Sequence, residues 1–76
     1  MDDKEFQKSF QMIVDVATQH GFATRDSLKN AYGLSAMESS QVIRMVMQKY
    51  PDLFKWDHES SSHRAHWEDV QKKKSA

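Results

Sequence analysis

The chain has 76 residues, eleven Lys or Arg against eleven Asp or Glu, four His and no Cys. That length holds one small domain, near the size at which a single core is only marginally sufficient, and it excludes a second. Without Cys there are no disulfides or thiolate zinc sites, so stability rests on apolar packing, for which two Trp, two Tyr and four Phe supply large surfaces. No apolar run approaches the ~20 residues that span a bilayer, and MDDKEF is acidic where a signal peptide would be basic, which predicts a cytoplasmic protein with no membrane partner. Formal charge is zero overall, but residues 1–21 carry −2, residues 22–50 carry +2 and residues 51–76 balance. This mild asymmetry does not by itself name a partner.

From Asp2 to His20, Phe6, Phe10, Ile13, Val14 and Ala17 recur at helical spacing and predict an amphipathic first helix. Asp2, Asp3 and Glu5 fall in its first turn, where the free amides and the helix dipole favour negative charge. Gly21 is placed to close it in the left-handed conformation. Met12 and Val16 widen the apolar stripe, either as core margin or as a contact between two copies in a homodimer. Phe22-Ala23 is a short apolar link. Thr24 can then cap a second helix through Arg25–Tyr32, with Leu28, Ala31 and Tyr32 inward and Gly33 at its end.

The most strongly marked stretch is Ser35 to Pro51. Ser35 and Glu38 form the S-x-x-E capping pattern, and Pro51 disfavours helical dihedrals at Tyr50, so a helix of about four turns is written at both ends. On a wheel Ala36, Ser39, Ile43, Val46, Met47 and Tyr50 share the face assigned to the core. Met37, Gln41, Arg44, Met45 and Gln48 occupy the opposite face. Gln and Arg at that spacing can point together into a groove, and their forked polar groups suit base edges. A merely solvated face is the competing reading.

Beyond Pro51 the period changes to two. Leu53, Phe54 and Trp56 alternate with Lys55 and Asp57, and Ala65 and Trp67 alternate with Arg64, His66 and Glu68, around a polar stretch containing Ser60, Ser61 and Ser62. This predicts a β-hairpin with a long, mobile tip, its tryptophans packed on the helices. From Val70 the apolar content is too low to pack, so the domain is placed at residues 1–70 and residues 71–76 are read as a flexible basic tail.

The order helix, link, helix, Gly33-Leu34-Ser35 turn, capped helix and two-stranded hairpin resembles the winged helix–turn–helix domains. Leu28, Ala31, Tyr32, Gly33, Leu34 and Ser35 carry the resemblance at the turn, with Ile43, Val46 and Tyr50 in the third helix and Phe54, Trp56 and Trp67 in the hairpin. It spans roughly residues 4–69 and implies an α+β fold of three helices with a C-terminal two-stranded β-hairpin wing. It also implies a small DNA-binding protein, a transcriptional regulator, whose third helix enters the major groove of double-stranded DNA while the wing touches the backbone. Gln41, Arg44 and Gln48 would read bases with Met37 on the same face, and Arg25, Lys29, His63, Arg64 and Lys72–Lys74 would supply charge toward phosphates.

Two features depart from the family pattern. Ser39 stands six positions after the turn glycine, where a β-branched core residue is usual. The third helix also brings few cations, so a winged-helix module that binds a protein through Met37 and Met45 is the alternative.

His58, His63 and His66 with Glu59 suggest a metal site only weakly. Residues 63 and 66 point to opposite faces of a strand, and no metal or other cofactor is expected. The chain has no Gly-rich phosphate loop, nucleophile elbow or H-E-x-x-H, and Asp57 with Glu59 lacks a surrounding cleft. No enzymatic activity is expected.

Overall fold

A computed structural model describes residues 3–75; Asp2, expected in the first helical turn, and Ala76, in the expected tail, lie outside it. The chain runs α1 (Asp3–His20), β1 (Phe22–Ala23), α2 (Arg25–Tyr32), α3 (Ala36–Lys49), β2 (Lys55–Asp57), β3 (Ser62–His66) and α4 (Trp67–Ser75). The result is an α+β domain of four helices and a three-stranded antiparallel sheet in the order β1-β3-β2.

Local chemistry sets the helix ends. Thr24 Oγ1 accepts from the Ser27 amide at 3.1 Å, and Ser35 Oγ accepts from the Glu38 amide at 3.1 Å while Glu38 Oε1 accepts from the Ser35 amide at 2.9 Å. The capping box is therefore complete, which fixes the register of every α3 side chain. Gly21 and Gly33 close α1 and α2 at φ of 83° and 64°, where a Cβ would clash with the following carbonyl. At the far end of α3 the Tyr50 amide still donates to Val46 before Pro51 turns the chain away.

The core is built on α1. Phe6, Phe10, Ile13, Val14, Val16 and Ala17 are buried from this helix, against Ala23, Leu28, Ile43, Val46, Leu53, Phe54, Ala65 and Val70. Phe6 and Phe10 stack with centroids 5.8 Å apart, and Tyr50 meets both edge-on at 5.6 Å. Val16 is thus core, with Met12 half-buried beside it.

Several expectations are corrected. Phe22-Ala23 is a strand rather than a link, pairing with His66 and Ala65, so the sheet has three strands instead of two. The period-two hairpin is shorter than expected: Leu53 and Phe54 are buried in the turn that precedes β2. Trp56 is not packed on the helices but 51 % exposed, because its part of the hairpin runs beyond the edge of the core.

Trp67 opens α4 instead of ending a strand, its amide donating to the Gly21 carbonyl at 2.9 Å. Residues 71–75 are helical where a tail was expected, because Val70 is wholly buried and α4 packs on α1. A fourth helix therefore joins the three expected.

In α2 only Leu28 is buried; Ala31 and Tyr32 are exposed, and the Tyr32 hydroxyl donates to Asp15 Oδ2 at 3.1 Å on the surface of α1. A helix of two turns turns too narrow a stripe inward to bury both flanks. Ala36 is exposed in the first turn of α3, and Met45 is half-buried against the core.

The hairpin tip is also more constrained than expected. Asp57 Oδ2 accepts from the Ser60 hydroxyl at 2.6 Å and the Ser60 amide at 3.2 Å, and Ser60 and Ser62 hydroxyls lie 2.8 Å apart. Ser61 completes the turn with φ of 51°.

Candidate nucleic-acid interface

A cleft of about 590 Å³ lies between α3 and the outer end of the β2–β3 hairpin. Its helical wall is the row Ser40, Arg44 and Gln48, spaced four residues apart and therefore stacked along one line of α3. The floor is Ile43 and Met47. Across from them stand Trp56 and His63, with Ser61 and Ser62 at the rim. Arg25 enters from α2, held there because the Thr24 cap makes it the first helical residue.

Strand register explains the hairpin wall. Trp56 pairs with His63, and Ala23 pairs with Ala65, so these four share one face of the sheet. Close to β1 that face seals the core with Ala23 and Ala65. Farther out it overhangs α3, and there Trp56 and His63 are exposed. Their rings meet edge to face, centroids 5.2 Å apart at 78°, which holds the indole at the cleft mouth.

The other sheet face is taken up with itself. The Arg64 guanidinium lies 4.2 Å over the Phe22 ring and 3.2 Å from Asp57 Oδ2. The Asp57 carboxyl is held below its ordinary pKa first by the Ser60 hydroxyl, then by the Ser60 amide and by the charge of Arg64. These contacts tie the tip together on the side away from the cleft.

Of the residues singled out from sequence, the structure brings Arg25, Arg44, Gln48 and His63 together. Gln41 lies instead on the next row of α3, lining a separate, smaller groove against α1 with Met45, Met12 and Lys8. Met37 is 72 % exposed near the start of α3, and neither it nor Lys29, in the last turn of α2, lines the cleft. Arg64 is on the far face of the sheet. The face of α3 read as one surface is thus two, because α1 draws Met45 and its neighbours inward.

Sequence reading missed Trp56, Ser40, Ser61 and Ser62 as cleft residues. Ser40 had a signal, four positions before Arg44. Trp56 had none, since only the strand register sets it opposite His63 and out over the helix.

No acidic residue lines the cleft, and neither Arg25 nor Arg44 is ion-paired among the described residues. Three other cations are engaged elsewhere: Lys49 lies 4.5 Å over the Phe6 ring, Lys73 lies 5.1 Å over Tyr50, and Lys55 pairs with Asp69 at 3.5 Å. A chain of zero net charge thereby presents two uncompensated guanidinium groups, an amide and an imidazole on one concave surface, an arrangement suited to anions and hydrogen-bond acceptors. Among the described residues no three His, Cys, Asp or Glu side chains come together as a metal site would need, and no helix is long and apolar enough to cross a membrane. The chain matches no family model, and comparison with curated proteins and with solved structures found no match either.

Proposed function

We propose that this domain binds double-stranded DNA as a winged helix–turn–helix module, without catalysis, in the manner of a small transcriptional regulator. α3 lies in the major groove, Arg44 and Gln48 reach base edges, and the β2–β3 wing rests on the adjoining backbone. The observation that carries this reading is the convergence of Arg25, Arg44, Gln48 and His63 on one cleft that holds no acidic side chain. The order of elements around α2 and α3 supports it.

With only two arginines lining the cleft, affinity is modest at physiological salt. About three phosphate contacts give a slope of roughly −3 in log K against log salt. The test is retention of a pool of random duplexes at low and at moderate salt. Binding is expected at the lower salt, and Arg44→Ala is expected to cost about 1–3 kcal/mol and to relax sequence preference. Failure of the parent protein to retain any duplex at the lower salt would overturn the reading.

One observation favours the adaptor alternative. Met37 stands 72 % exposed on α3, an adaptable apolar contact for a protein partner. In that case Met37→Ala abolishes capture of the partner while Arg44→Ala leaves it intact. Met45 contributes less than sequence suggested, because it is already half-buried.

A further inference from the structure

We infer that the cleft between α3 and the wing holds an unpaired nucleotide, its base stacked on Trp56 and its phosphate held by Arg25 and Arg44. This rests on the reading of the surface as a nucleic-acid interface and narrows it to a particular ligand chemistry. Trp56 leaves half of its surface open, although it is the kind of side chain a small domain most needs inside. The His63 ring meets it edge to face at 78°, with centroids 5.2 Å apart. A held, half-open indole is a stacking platform whose ordering cost is met before any ligand arrives.

The surroundings match the rest of a nucleotide. Ile43 and Met47 give the cleft an apolar floor, while Arg25 and Arg44 line the same cleft with charge that no carboxylate neutralises. Gln48 can donate to and accept from a base edge, which a bare apolar slot could not do. A duplex with every base paired hides its base faces and offers Trp56 only sugar and phosphate. A flipped, gapped or single-stranded base offers a face.

The experiment uses the full chain and labelled DNA of one length in three forms: intact duplex, the same duplex with a short single-stranded gap, and single strand. Free mononucleotide is titrated separately and followed by amide chemical shifts. Gapped or single-stranded DNA is expected to bind about tenfold or more tightly than duplex. Trp56→Ala should erase that preference, Trp56→Phe should restore part of it, and Arg44→Ala should weaken all forms.

Since Trp56 is half-exposed, its variants keep the fold, which circular dichroism verifies. Equal binding of duplex and gapped DNA, or a preference that survives Trp56→Ala, overturns the inference and leaves the duplex reading standing. Binding of mononucleotide at the cleft without any DNA binding supports the pocket and overturns the DNA reading. Binding to none of these ligands overturns both.

Discussion

Ser39 buries its side chain completely on the inner face of α3, and its hydroxyl has no hydrogen-bond partner among the described residues. It holds the position where the helix–turn–helix pattern usually carries a β-branched residue, and the intact cap at Ser35 shows that no shift of helix register explains the serine. An unpaired buried hydroxyl carries a desolvation cost of about 1–3 kcal/mol, and alanine is the better helix former. Ser39→Ala is therefore expected to raise stability by roughly 1 kcal/mol, read in thermal unfolding as a shift of about 4–8 °C. A lower midpoint would show that the hydroxyl makes a contact the alanine loses. Arg64 carries a related feature in the β2–β3 hairpin, where its Nε is buried with no hydrogen-bond partner among the described residues, although the guanidinium as a whole meets Asp57 and Phe22.

Within α3, both faces depend on where the helix begins, so the cap has a functional consequence as well as an energetic one. Ser35→Ala should cost about 1 kcal/mol, and Ser35→Asp should be tolerated because a carboxylate also accepts from the Glu38 amide. Glu38 adds a pH dependence. Its pKa is lowered, first by the Ser35 amide and then by the Ser35 hydroxyl. A carboxyl with a folded pKa below its unfolded value contributes stability that is complete above the unfolded pKa and disappears as pH falls through the folded one. The stability gap between the parent and Glu38→Ala should accordingly be present at neutral pH and close on acidification through and below the ordinary carboxylate range. Denaturant midpoints at a series of pH values measure it, and a gap that stays constant would mean that the carboxylate charge plays no part in the cap.

At the scale of the whole molecule, the radius of gyration of 11.2 Å matches the ~11 Å of a fully compact chain of this length. Closure depends on α4, which reaches the core through Val70 and is tied to the end of α1 by the bond from Trp67 to Gly21. Val70→Ala should lower global stability by roughly 2 kcal/mol, with helix content and core fluorescence lost in one transition. An unchanged midpoint would mean that α4 lies undocked. The basis of α4 was present in the sequence, with Glu68 and Asp69 in the first turn and Lys72, Lys73 and Lys74 in the last, charges that suit the helix dipole. Two apolar residues, Trp67 and Val70, gave no periodicity to read.

What the sequence by itself determined are the features whose causes lie within a few residues. Thr24, Ser35, Gly21, Gly33 and Pro51 bound α1, α2 and α3, and the apolar stripe of α1 identifies the helix on which the core is built. What only the tertiary structure decided are relations between distant segments. Two-residue β1 has too few positions to show a period and exists because β3 pairs with it. Trp56 looked like core from its residue type, but the register of β2 on β3 sets it opposite His63 at the cleft, half exposed. The cleft follows from the same cause: Arg25, Arg44 and His63 lie in three separate elements, and only the tertiary fold brings them to one surface.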